Sequence, residues 1–362
     1  MHGRFLRNGG GPVAVLALTV LAGFAPPAEQ QNSFTVHNLV SDQPGVADHQ
    51  DPNLVNAWGL TSSPMSPWWV ADNGTGVSTL YNGNTGAAVP LVVTIASGAP
   101  TGAVFNGGPS FVVSSGGASG PARFLFASEN GTISGWNPAV PPPPPSPSHE
   151  AIVAVDRSPA GAVYKGLAIA TTPAGSFLYA ADFHNARVDV FDGTFGPVTT
   201  AGGFVDPNLP AGFAPFGIQN LQGRIYVAYA KQDAAAHDDV PGEGLGAVSV
   251  FDTEGHFLAR VASGEPLNAP WGMTIAPSAG FGRFSGNLLV GNFGDGRINA
   301  YDLATFEPRG HLKTADHHPL VIDGLWGIGF GNGFAAGPTK TLFFAAGPDE
   351  ESHGLFGTIM LD

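Results

Sequence analysis

The chain has 362 residues and a formal net charge of −14; charged residues make up only 12% of it, beside 52 glycines and 32 prolines. So acidic a surface is repelled by nucleic acid and by anionic membranes, and neither is an expected partner. There is no cysteine, which excludes disulfides and thiolate metal centres and leaves packing and closure of the fold to supply stability.

Residues 1–28 carry Arg4 and Arg7, then an apolar run from Pro12 to Phe24, then Ala25-Pro26-Pro27-Ala28. A basic start, an apolar centre too short to span a bilayer and small residues behind it mark a secretory signal peptide. The remaining chain, 29–362, is expected to be one domain, exported to the periplasm or beyond the cell as a monomer, with no stable membrane span after processing. Phe34 to Val40 then reads as a strand with no partner nearby in sequence.

From Ala57 onward a repeat sets in. Ala57-Trp58-Gly59-Leu60-Thr61, Tyr164-Lys165-Gly166-Leu167, Pro215-Phe216-Gly217-Ile218, Pro270-Trp271-Gly272-Met273 and Leu325-Trp326-Gly327-Ile328 are near copies, and the last four glycines are spaced by 51, 55 and 55 residues. The gap from Gly59 to Gly166 is about double, so a degenerate copy is expected near residue 112, at Phe111-Val112-Val113. A fixed period of this size points to a propeller, solenoid or array.

Each copy is followed by a short apolar run ending in turn residues, such as Trp69 to Gly74, Phe124 to Glu129, Leu178 to Asp182 and Leu288 to Asn292, and then by an alternating run such as Val188 to Phe191 or Val248 to Phe251. Weaker fourth runs complete the unit, as at Ala151 to Val155. Four short antiparallel strands per unit, six units and no sustained helical period predict an all-β, six-bladed β-propeller. The sixth unit ends after its third run, at Asp362, so the early strand at 34–40 is expected to complete it and close the ring. Pro141 to Pro145 and Pro147, inside the second unit, cannot donate to a ladder and read as a stiff polyproline II excursion.

Antiparallel blades send alternate connections to opposite faces. Sorted that way, most of the acids and histidines fall on one face, including Asp72, Glu129, Asp182, His237, Asp238, Asp239, His317, His318, Asp349, Glu350 and His353. The longest loops, 231–243 beginning at Lys231 and 347–354, lie on the same face, and long loops on a rigid scaffold are where binding concentrates. Other readings are structural: Asp182 with Arg187, and Asn292 with Arg297, recur at matching positions as polar pairs bracing a hairpin. Trp58, Trp271 and Trp326 are expected to pack between blades near the axis, with lining of a central pocket as the alternative.

The lines Ala181 to Val188 and Gly291 to Ile298 resemble the repeat of NHL-type propellers, a group that includes gluconolactonase-like enzymes. Asn38-Leu39-Val40-Ser41-Asp42, Asn56-Ala57-Trp58-Gly59-Leu60, Trp69 to Gly74 and His237-Asp238-Asp239 more closely resemble a secreted bacterial propeller family of uncharacterised function. The gluconolactonase resemblance implies a divalent cation on the axis, and the matching blade-end residues would be Asp72, Glu129, Asp182 and Asn292, oxygen donors suited to calcium. Two functions follow as expectations. One is a binding propeller that uses the acidic, histidine-bearing face for a ligand or an extracytoplasmic protein partner; the other is a metal-dependent lactonase or esterase.

Overall fold

In the computed structural model the described residues are 1–3, 6, 9, 32–142 and 145–362. The expected signal peptide and the centre of the proline run, Pro143 and Pro144, therefore lie outside or almost outside them. Asn32–Asp362 forms one compact unit, and its described residues are all strands and turns apart from two single-turn 3-10 segments.

The alternating and apolar runs become four-stranded antiparallel sheets. Three stand alone: Tyr164–Thr172 with Gly175–Asp182, Arg187–Asp192 and Pro197–Val198; Phe213–Leu221 with its three successors to Ser263; and Pro270–Ile275 with its three to His311. Two more, beginning at Ala57–Thr61 and Pro100–Phe105, are joined along their outer strands by a parallel pair, Val93–Ile95 beside Glu150–Asp156. The last is Leu325–Phe330, Leu342–Ala346 and Leu355–Leu361, completed from the other end of the chain by Phe34–Ser41. That pairing is antiparallel from Phe34 opposite Leu361 to Ser41 opposite Leu355, as expected for ring closure.

The repeated glycine explains how neighbouring sheets meet. A β-carbon on Gly59 would lie 2.3 Å from Thr101 O, on Gly102 2.2 Å from Leu167 N, on Gly166 3.0 Å from Phe216 O, on Gly217 2.1 Å from Trp271 O, on Gly272 2.4 Å from Trp326 O and on Gly327 2.6 Å from Trp58 O. Each glycine thus lets one innermost strand press against the backbone of the next, and the chain of contacts returns to its start. Such a closed circuit of radial sheets is a β-propeller.

The circuit also corrects the repeat. Its missing member is Pro100-Thr101-Gly102-Ala103, in the inner strand Pro100–Phe105, and not Phe111-Val112-Val113. Val112 belongs instead to an inserted hairpin, Val112–Ser115 with Ala118–Pro121, outside the four-stranded order. This insertion stretches the second unit and displaces the apparent period.

Candidate functional site

In four units the residue before the circuit glycine joins one buried cluster where the inner strands meet. In three of these it is tryptophan, and Trp58, Trp271 and Trp326 meet there with Phe183, Phe216 and Phe293. Trp58 stacks on Trp326 at 3.7 Å between ring centroids, Trp326 on Phe293 at 3.9 Å, and Trp271 meets the first two edge-on at 6.1 and 5.8 Å. All three indoles are at most 3% exposed, so they form a plug rather than the wall of an open pocket.

Buried indole N–H groups need acceptors. Trp58 and Trp326 both donate to Asn56 Oδ1, at 2.9 and 3.0 Å, and Trp271 donates to Lys165 O at 2.8 Å. Asn56 can serve two indoles because it adopts a left-handed conformation, φ 48°, which asparagine tolerates better than most residues. Its amide nitrogen is then free to donate to Glu351 Oε2 at 2.6 Å and Asn73 Oδ1 at 3.3 Å. Asn73 in turn donates to Glu129 Oε2 at 2.8 Å.

In the third unit the tryptophan position is Lys165. Its ammonium is bonded to Glu129 Oε1, reaches Asp238 Oδ1 at 2.9 Å and stands 5.3 Å from the Trp58 ring centroid. Only 3% of its side chain is exposed. Burial would favour the neutral amine, but Glu129 and Asp238 outweigh it and raise the Lys165 pKa. There is therefore a polar layer in which one ammonium is bonded to Glu129 and Asp238 and its charge also acts on Asp239 and Glu351. Burial pushes Asp239 up to about 7 against the pull of Lys165, with Glu351 and Asp238 adding to the rise. Burial likewise raises Glu351, opposed by Asn56 and Lys165. For Asp238 burial is outweighed by Lys165, which holds the carboxyl below its usual range.

Among the described residues, Glu129, His237 and Asp238 bring three potential ligand atoms within 4.8 Å of one another. His237 Nδ1 is 3.0 Å from Asp238 Oδ1. This trio does not suit a divalent cation, because Lys165 already holds both of its carboxylates and a metal would have to displace a buried ammonium.

The expected residues divide clearly. Trp58, Trp271, Trp326, Glu129, His237, Asp238 and Asp239 come together at the axis. Lys231 ends its strand on the surface, its carbonyl bonded to the Val240 amide. His317 and His318 are exposed and make local contacts around Thr314 and Asp316. His353 binds Asp42 at 2.8 Å, while Asp349 and Glu350 are exposed, the Asp349 amide reaching Asp323. It is Glu351 of that loop that enters the polar layer.

The blade-end quartet is not a set. Strand pairing puts Ser128, facing Pro100, at the position of Asp72 facing Ala57, and Glu129 one residue beyond it. Asp182 is taken up by the Val163 and Asn185 amides, the Asn185 side chain and Arg187 at 3.3 Å, as expected for a hairpin brace. Asn292 donates to Pro266 O and Asp295. Sequence reading placed Glu351 on the polar face and Lys165, Asn56 and Asn73 in the repeated lines without singling any of them out; a lysine standing where the other copies have Trp, Thr or Phe was the available signal.

No protein-family model matches the chain. An uncharacterized protein of Acanthamoeba polyphaga mimivirus is 33% identical over 352 residues, covering 93% of this chain and 82% of the relative. A second from the same virus is 34% identical over 354 residues, covering 93% and 88%. Among solved structures, a protein of unknown function from Bacteroides thetaiotaomicron superposes with a TM-score of 0.55 at 12% identity, over 92% of this chain and 77% of that one. A gluconolactonase from Xanthomonas campestris does so with a TM-score of 0.52 at 12% identity, over 86% and 87%. These likenesses concern the fold alone, a β-propeller.

Proposed function

Starting from a chain that belongs to the family of these two mimivirus proteins, we propose that it is an exported six-bladed propeller whose acidic axial layer binds a cationic ligand or a basic segment of a partner protein. The supporting observation is the position of Lys165. A buried ammonium already sits among the carboxylates, over an aromatic ring, in the manner of a bound organic cation. Two carboxylates bond that one charge and two more, Asp239 and Glu351, feel it, so the layer keeps a surplus of negative potential facing solvent through Asp238, whose side chain is 64% exposed. The gluconolactonase-like alternative needs an axial metal, and the donor set does not fit one.

The test uses purified full-length protein in a thermal-shift series with polyamines, arginine and lysine-rich peptides. Cationic probes should stabilise it, several-fold more tightly at pH 8 than at pH 6 because Asp239 ionises near 7, and Asp238→Asn should weaken them. In parallel, a lactone and ester panel is run with and without chelator. Chelator-sensitive turnover, or indifference to every cationic probe, would overturn the proposal.

A further inference from the structure

A second group of oxygens lies in the first unit. Asp72 is fully buried, and among the described residues the only donor near enough to act on its carboxylate is Thr79, through its hydroxyl and amide, without a well-formed hydrogen bond to either oxygen. In the hairpin of Trp68–Asp72 with Val77–Tyr81, Asp72 faces Val77, Val70 faces Thr79 and Trp68 faces Tyr81. Directly paired residues project to the same side and alternate along each strand, so Asp72, Thr79 and Tyr81 share one side. That side is the seam with the closing unit, where Trp68, Val70 and Tyr81 pack with Phe343, Phe356, Leu39 and Val40.

Thr79 Oγ1 is also buried, with Asp72 and Tyr81 as its polar neighbours and no well-formed hydrogen bond among the described residues. Asp51 comes to the same place from the N-terminal segment: its amide donates to Ser41 O, and its Oδ2 accepts the Tyr81 hydroxyl at 3.0 Å. The groups sense one another. Burial raises Asp72 well above the usual carboxylate range, Thr79 opposes the rise and the Asp51 charge adds to it; Tyr81 is raised by burial and by both carboxylates.

We propose that Asp72, Thr79 and Asp51, with Tyr81 holding Asp51 in place, form a site for a calcium-like cation in the seam that closes the ring. Every donor is oxygen, the preference of hard cations, and two carboxylates balance a double charge. A buried carboxyl without a well-formed hydrogen bond is costly unless it is neutralised. Calcium accepts irregular oxygen shells, whereas magnesium demands a near-ideal octahedron and gives up its waters reluctantly. The site is separate from the axial layer, since neither Asp72 nor Asp51 contacts Lys165, and it would tie the first unit to the segment that follows the N-terminal strand.

Full-length protein stripped with chelator is titrated with calcium while the melting temperature is followed, and terbium emission sensitised by Tyr81 reports occupancy. Calcium is expected to raise the melting temperature by several degrees and to displace terbium. Asp72→Asn should abolish both responses, while Glu129→Gln in the axial layer should leave them intact. If Asp72→Asn does not fold, Thr79→Val should still lower calcium affinity several-fold. Failure of millimolar calcium to shift melting, with no sensitised terbium emission, or persistence of both responses in Asp72→Asn, would mean that Asp72 is neutralised by a proton alone and the proposal is wrong.

Discussion

Lys165 holds the axial layer together, and its replacement exposes how tightly the charges are coupled. Lys165→Met leaves Glu129 and Asp238 facing Asp239 and Glu351 with no counter-ion, and removing one partner of a buried pair costs about 3–5 kcal/mol. Urea denaturation should register a loss of that order. Adding Glu129→Gln to the same protein should restore part of it, because the uncompensated charge next to the buried methionine is then gone. If the single substitution costs less than about 1 kcal/mol, the ammonium does not neutralise the layer. Much of this arrangement was legible only in part. His237-Asp238-Asp239 stands out as a charged run in a long loop, and Glu129 as an acid just past a buried strand. Asn56 and Asn73 do not, because an asparagine beside a turn ordinarily bonds its own backbone, and only the fold brings them under two indoles and a carboxylate. Glu351 was hidden among Asp349 and Glu350, three adjacent acids in a row of left-handed residues. Which of them turns inward is decided by the loop's backbone.

The inner strands show the opposite balance. Their glycines and flanking apolar residues repeat because each strand must meet the same neighbour, so one packing constraint is written several times in the chain. Gly102 escaped notice for two reasons. Thr101 replaces the aromatic before it, bonding Tyr164 O at 2.7 Å instead of joining the plug, and the hairpin Val112–Pro121 upset the count. The constraint itself is steric. In Gly217→Ala the new methyl would fall 2.1 Å from Trp271 O, backbone that cannot yield without parting two sheets. Overpacking of this kind costs about 1–3 kcal/mol and sometimes more. The expected result is a loss at or above the upper figure by chemical denaturation, while Gly223→Ala in the exposed hairpin end, with nothing within 4 Å but a left-handed φ of 79°, loses about 1 kcal/mol. Equal losses at the two positions would show that the close approach is not what selects glycine.

Across the whole molecule, stability depends on the circuit being complete. Phe34–Ser41 supplies the outer strand of the last sheet, and the Asp362 amide donates to Ser33 O at 3.0 Å, so the two ends of the described unit are bound to each other. Removing residues 32–41 should leave Leu355–Leu361 paired only with Leu342–Ala346, its outer edge open as a template for association with other chains. The truncated protein is expected to lose its single sharp thermal transition and to elute as aggregates in size-exclusion chromatography. A monomer that melts as sharply as the full chain would show that the sheet does not need its first strand. Closure of this kind was foreseeable, since the last repeat stops one strand short and a strand without a partner precedes the first.

This meeting of early and late segments also orders events in time. Residues 34–41 are made first and can find their place only after 355–361 have emerged, more than three hundred residues later. Until then the last sheet is missing its outer member and the circle has a gap. Sheets made of consecutive strands, such as those of 164–198 and 213–263, can form as they emerge, but the circle itself is sealed only in this late step.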